Sequence, residues 1–314
     1  MRHGFTFALA FVALAMSARA AETEVSLKTA TGTLWGTEAS PAQGAAAPVA
    51  LMLAGSGPTD RNGNGPTLRT DTYKLLAAAL GERGIATLRI DKRGIGQSSA
   101  AMVSEADLRI QSYGDDAKAW AADLRARTGA PCVWLIGHSE GALIAELAAQ
   151  DNRDICGLIL LSGAGRKAAD VLREQLANLP DPLKAQAFSA LAELEAGHTV
   201  TSPPPQLVGL FRPSVQPYLI SWLALDPAAL LARLKLPVLI VQGDTDLQVS
   251  LDDARRLAAA RPDAKLVILA GVNHILKVAP ADRAANLASY GDPTLPLAPT
   301  LAGTIASFMQ AGRP

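Results

Sequence analysis

The chain has 314 residues, 49% of them hydrophobic and 18% charged, enough apolar material for one large core or two smaller ones. Twenty-nine basic residues balance twenty-nine acidic ones, which excludes a strongly basic footprint for nucleic acid, and 4% aromatics offer no evident stacking surface. Two cysteines exclude a disulfide-rich miniature fold.

Arg2 and His3 open the chain, Phe5 to Met16 is apolar and small, and Ala18-Arg19-Ala20 has small-x-small spacing. This layout predicts a secretory signal peptide over residues 1–20, cleaved after Ala20; an uncleaved N-terminal anchor is the alternative. Cleavage would remove Arg2 and Arg19 and take the net charge from zero to −2. The expected location is the periplasm or the extracellular space, with no stable membrane insertion afterwards.

Val25 to Thr29 and Thr33 to Thr37 read as a strand pair, and Ala39 to Pro48 as a loop. Val49 to Ala54 is continuously apolar, as in a strand buried on both faces. Strands and helices then alternate: helix 71–83, strand 85–90, helix 112–128, strand 132–136, helix 139–150, strand 155–161. The alternation breaks over Gly165 to Leu234, which reads as an inserted helical cap. It resumes with strand 237–242, helix 251–260, strand 264–269 and a closing helix over 300–310. The fold class is therefore α/β: about eight strands, mostly parallel, with helices on both faces and an antiparallel N-terminal edge. The expected organisation is a core of residues 21–164 and 235–314, with the cap over 165–234.

Gly137-His138-Ser139-Glu140-Gly141 lies between a strand and a helix. A G-x-S-x-G turn of this kind must be sharp, with small residues flanking a strained serine whose Oγ is lifted clear of the sheet. Glu140 would begin the helix, leaving its N–H free to bind an oxyanion. A serine hydroxyl needs a base, and there are four histidines. His3 belongs to the expected signal, His138 sits inside the turn and His198 lies in the cap. His274, in the loop after the last strand, remains. Two carboxylates compete to orient it, Asp244 and Asp246. Asp246 is favoured because it lies further past the strand, where the chain can turn back; Asp244 could organise the turn.

These motifs resemble the α/β-hydrolase fold family, and the resemblance covers nearly all of the chain after residue 20. Gly137 to Gly141 resembles its nucleophile elbow. Asp91-x-Arg93-Gly94-x-Gly96-x-Ser98 resembles the loop after its fourth strand, Pro237 to Asp246 its acid loop, and Asn273-His274 its histidine loop. Within the family the chain is most similar to bacterial serine esterases and to the serine aminopeptidase or lysophospholipase-like group. The resemblance implies Ser139, Asp246 and His274 as a catalytic triad, with the Ser56 and Glu140 N–H groups as oxyanion donors. Ser139 at the elbow argues for acyl chemistry, so hydrolysis of carboxylic esters through an acyl-enzyme is expected, and the absence of an evident long lipid-like apolar surface favours small soluble esters. Aminopeptidase, amidase or thioesterase activity is the alternative, with a non-catalytic binding protein a further one. No metal or organic cofactor is expected, and the oligomeric state is left open.

Many members have His-Gly after the first core parallel strand, where this chain reads Ala54-Gly55-Ser56-Gly57, so the anchor of that loop is unassigned. Asp60 and Arg61 are either an ion pair holding it or solvated charges. Asp91 and Arg93 are expected to be structural. In the cap, Leu207, Leu210, Phe211, Tyr218, Leu219, Trp222 and Leu223 either pack it onto the core or line an acyl pocket. Glu174, Glu193 and Glu195 are the candidates for binding a substrate amine. Cys132 and Cys156 are expected to face each other on neighbouring strands, as a disulfide or as two buried thiols.

Overall fold

The computed structural model describes residues 21–41 and 48–312. The predicted signal peptide lies outside these residues, as does most of the predicted 39–48 loop. One eight-stranded sheet runs through the molecule. At its edge, β1 (Ala21–Thr29) and β2 (Gly32–Ser40) form an antiparallel pair, longer than the sequence suggested, with Ala39 and Ser40 in the strand. Glu22, Glu24 and Lys28 are charges on the outer strand, a device that discourages edge-to-edge pairing.

The other strands are β3 (Val49–Leu53), β4 (Ala86–Ile90), β5 (Val133–His138), β6 (Ile155–Leu161), β7 (Val238–Gly243) and β8 (Lys265–Leu269). The spatial order is β1-β2-β4-β3-β5-β6-β7-β8, and β3 to β8 are mutually parallel. Along each inner strand the side chains divide between two cores. Leu51, Leu53, Leu135 and Leu158 face α2 (Ile110–Thr128) and α3 (Glu140–Ala149). Ala50, Met52, Trp134 and Ile159 face α1 (Thr72–Gly81) and the C-terminal helix. This explains why the strands read as continuous apolar runs without alternation.

Between β6 and β7 the chain forms α4 (Ala168–Leu176), α5 (Leu183–Glu195), α6 (Val208–Phe211), α7 (Gln216–Leu223) and α8 (Pro227–Ala232). After β7 come α9 (Leu251–Ala260), α10 (Arg283–Ser289) and α11 (Leu301–Ala311). Helix α10 had no counterpart among the predicted elements. Cys132 and Cys156 are joined in a disulfide between the neighbouring strands β5 and β6, with Cα atoms 5.2 Å apart. Among the described residues no helix is long and apolar enough to cross a membrane.

Because β3, β5, β7 and β8 are parallel, the loops that follow them emerge on one side of the sheet. The crossovers reverse direction where β3 sits between β4 and β5, and the crevice outside such a reversal is the usual ligand position in open α/β sheets.

Candidate active site

Ser139 stands between β5 and α3 with φ 55° and ψ −120°, a conformation few non-glycine residues adopt. Its glycine neighbours are required by space. A Cβ on Gly137 would lie 2.2 Å from the Gly141 carbonyl oxygen, and one on Gly141 would lie 2.2 Å from that of Leu53. The turn is thereby pressed against the end of β3. Glu140 is the first residue of α3, so its N–H has no intrahelical acceptor.

Asp246 and His274 meet. The His274 Nδ1–H donates to the Asp246 carboxylate, 2.9 Å from Oδ2, which leaves Nε2 as the basic nitrogen. The carboxylate also accepts from the Gln248 and Val249 N–H groups and from Gln242 Nε2. Burial alone would raise this carboxyl; the His274 ring and the two backbone donors outweigh it and hold it at about 2. Asp246 is thus an anion throughout the neutral range. Asp244 has the other role considered for it and accepts the Gly271 N–H at 2.6 Å.

Helix α10 clamps both loops. Asn286 Nδ2 donates to the Thr245 carbonyl, and Asn273 Nδ2 donates to Ser289 Oγ. His274 and Ser139 border the same pocket of about 180 Å³. Among the described residues no hydrogen bond joins the Ser139 hydroxyl to His274; in unliganded acyl-transfer sites such bonds are commonly long and tighten when substrate binds.

His138 is buried on the far side of the turn. Its Nε2–H donates to the His274 carbonyl at 2.7 Å, so Nδ1 accepts from the Tyr73 hydroxyl at 2.8 Å. Tyr73 Oη in turn accepts the Gly55 N–H at 3.0 Å. One chain of hydrogen bonds therefore runs from the loop after β3, through the nucleophile turn, to the histidine loop. Burial, then the adjacent His274, lowers the His138 ring to about 3, so no second positive charge opposes a protonated His274. Nothing in the sequence singled out Tyr73.

The loop after β3 is held differently from either reading of Asp60 and Arg61. Asp60 folds back to accept the Asn62 and Asn64 N–H groups. Arg61 turns instead to Asp91, which accepts its backbone N–H at 2.8 Å and lies 3.6 Å from Nε. A carboxylate two backbone donors away closes a turn at less entropic cost than a neighbouring long cation, so the Asp60–Arg61 pair does not form. Asp91 also accepts the Gln97 N–H, and Arg93 makes an ion pair with Asp116.

A second, larger cavity of about 400 Å³ opens on the other side of Ser139, beneath the helices between β6 and β7. Leu210, Tyr218, Leu219 and Trp222 border it, with Leu172 and Leu176 of α4. Phe211 and Leu223 are buried in the core, and Leu207 packs against it, so the predicted cap residues divide between the two roles. Ser56, Ser139 and Gln248 border both cavities. His198 is exposed and beside Glu193, far from either.

Solved structures share this architecture. The similarity to Est1E from Butyrivibrio proteoclasticus with ferulic acid bound has a TM-score of 0.59 at 18% identity, covering 92% of this chain and 98% of that one. The proline iminopeptidase of Mycobacterium smegmatis gives 0.59 at 16% identity, covering 93% and 99%. The chain is an α/β-hydrolase-fold protein. Residues 65–202 match the family described as serine aminopeptidase, S33. Esterase EstD of Thermotoga maritima is 27% identical over 236 residues, 73% of this chain and 54% of that protein. The chain thus spans about half the length of the curated relative it matches.

Proposed function

We propose that the protein is a serine hydrolase that cleaves carboxylic esters through an acyl-enzyme, with Ser139 as nucleophile, His274 as base and Asp246 as the group that orients it. The observation that carries this reading is the position of Ser139 at the junction of two cavities, of about 180 and 400 Å³, only the smaller of which His274 borders. His274 Nε2 takes the Ser139 proton as Oγ attacks the carbonyl carbon. The Ser56 and Glu140 N–H groups donate to the oxyanion. His274 then gives the proton to the departing alcohol, so the alcohol lies on the His274 side, in the smaller pocket. The acyl group is left to the larger chamber. Water activated by His274 releases the acid. The helices between β6 and β7 act as the cap that closes this chamber.

Ester rather than aminopeptidase chemistry is favoured by the carboxylates. Glu174, Glu193 and Glu195 are engaged by Arg166, His198 and Arg173. Glu140, the acidic residue bordering the larger chamber, is paired with Lys92. A substrate ammonium would find no unpaired carboxylate there among the described residues.

A fluorophosphonate probe should label the wild type and leave Ser139→Ala unlabelled; equal labelling removes the enzyme claim. Nitrophenyl esters of graded acyl length, methyl ferulate, thioesters and aminoacyl amides form the substrate panel. Turnover should peak at a medium apolar acyl group and be lowest for the amides. A steady rise with chain length, with activation at an oil interface, would overturn the small-soluble-ester reading. The N-terminal layout and the disulfide both fit export to an oxidising compartment. N-terminal sequencing of the exported protein should begin at Ala21.

A further inference from the structure

The Lys92 side chain lies beneath the nucleophile turn, only 5% exposed, and its Glu140 partner is 2% exposed. Its Nζ donates to the Gly55 carbonyl oxygen at 2.6 Å and to Glu140 Oε1 at 3.1 Å. The ammonium also sits 4.9 Å from the centre of the Tyr113 ring. A buried ion pair is a poor way to gain stability, because desolvating both charges offsets most of their attraction. The location of the pair therefore calls for another reason.

The Gly55 carbonyl and the Ser56 N–H belong to one peptide unit. In a trans peptide they point in opposite directions. A cation gripping the oxygen fixes the plane of that unit and turns the N–H away from Lys92. It also draws electron density toward the oxygen, which makes the N–H a stronger donor. The second contact of the same ammonium is the side chain of Glu140, whose own N–H is the other oxyanion donor. Tyr73 holds the opposite end of Gly55 by accepting its N–H.

We propose that Lys92 is the positioning residue of the oxyanion hole, a single buried ammonium that sets the direction of the Ser56 N–H and braces the residue carrying the Glu140 N–H. It supplies an anchor for the loop that reads Ala54-Gly55-Ser56-Gly57 where many relatives have His-Gly. Of its sequence neighbours, Asp91 holds the same loop further along, at Arg61, and Arg93 holds α2 through Asp116. The proposal rests on the acyl-transfer reading and is indifferent to whether the substrate is an ester or an amide.

The test compares wild type with Lys92→Met and with the doubly neutral Lys92→Met/Glu140→Gln, which leaves no uncompensated buried charge. Both are assayed on the best nitrophenyl ester. Binding is measured for a trifluoromethyl ketone analogue, which forms the oxyanion, and for the corresponding ether, which cannot. In the double variant kcat should fall about 10- to 100-fold with KM within about threefold, given the usual effect of a lost oxyanion donor. The ketone should weaken by the same factor and the ether stay unchanged. A folded double variant with kcat within twofold of wild type overturns the proposal, and so does equal weakening of ketone and ether. If neither variant folds, the pair is a structural element and the proposal falls. A wild type that turns over no panel substrate and escapes the fluorophosphonate refutes the acyl-transfer reading itself, a result distinct from all of these.

Discussion

The two cavities that meet at Ser139 are built differently. Around the smaller pocket most polar side chains are committed to named partners: Asp246 to His274 and Gln242, His138 to Tyr73 and the His274 carbonyl, Asn286 to the acid loop. The chamber beneath the β6–β7 helices is walled by Leu172, Leu176, Leu210, Leu219 and Trp222, which make no directional bonds among the described residues. Its fixed charges are turned aside, Arg166 to Asp253 and Arg212 to Glu105. Hydrogen-bonded walls fix geometry to fractions of an ångström, whereas apolar walls fix only volume. On the proposed reading, chemistry belongs to one side of Ser139 and selection by size to the other.

The largest effect is expected where this contrast is strongest. Asp246→Asn keeps the shape of the smaller pocket but removes the charge that holds His274 in its working tautomer. The turnover number should drop about 10⁴-fold with a small change in KM. Steady-state kinetics on one ester decides it, and a loss below tenfold would remove Asp246 from its role. On the chamber side, Trp222→Ala should leave kcat on short acyl esters within about threefold. The optimum should shift toward longer or bulkier acyl groups by about 10- to 200-fold in relative kcat/KM, the range that pocket volume can supply. A uniform loss across the acyl series would mean that the wall and the reacting groups are not separable.

His138 tests the hydrogen-bonded side through stability. Its ring stays neutral down to about pH 3 in the fold, while an unfolded chain takes up that proton near pH 6.5. The unfolded state therefore binds the extra proton between these values. Stability is unaffected above pH 6.5 and falls as the pH drops below it, by about 1.4 kcal/mol per unit. In His138→Gln that slope should be missing from denaturant unfolding at pH 6.5, 5.5 and 4.5. An unchanged slope would show that another group carries it.

How far the sequence reveals these regions follows from the interactions that make them. Strand runs such as Val49–Leu53 and Ile155–Leu161, and the Gly137–Gly141 turn, depend on neighbours in the chain and are visible as patterns. Ser139 and His274 were legible for the same reason: one sits in a turn with strict spatial demands, the other follows the last strand. Tyr73 was hidden because its partners, Gly55 and His138, lie 18 and 65 positions away. Lys92 was in view inside a recognisable motif, but its contact with a carbonyl 37 positions earlier has no sequence signature. Helix α10 is short and ordinary in composition, and what gives it importance is Asn286 reaching across to Thr245. The β6–β7 helices showed which side chains are apolar, and only their packing separates Trp222 in the chamber wall from Phe211 in the core.

Helix α3 contains the comparison in miniature, with two buried carboxylates in opposite circumstances. Glu140 at its start is paired with Lys92; Glu146, further along, is 1% exposed, and neither of its oxygens has a hydrogen-bond partner among the described residues. Burial, with the charge of Asp226 adding to it, pushes the Glu146 carboxyl well above the usual range. The fold therefore keeps this proton where the unfolded chain has released it. The sign is opposite to that of His138: the Glu146 contribution worsens as the pH rises above about 4.3, the ordinary glutamate value. Glu146→Met fills similar space without a polar group. It should stabilise the protein by about 1–3 kcal/mol at pH 7, the usual cost of an unsatisfied buried polar group. The gain should shrink as the pH falls toward 4, where the unfolded glutamate also holds its proton, and level off at the pH-independent cost of burying an unpartnered carboxylic acid. Esterase turnover should be unchanged, because Glu146 borders neither cavity. Denaturant unfolding at the two pH values decides it, and a variant less stable at pH 7 would mean that Glu146 has a partner that its surroundings here do not disclose.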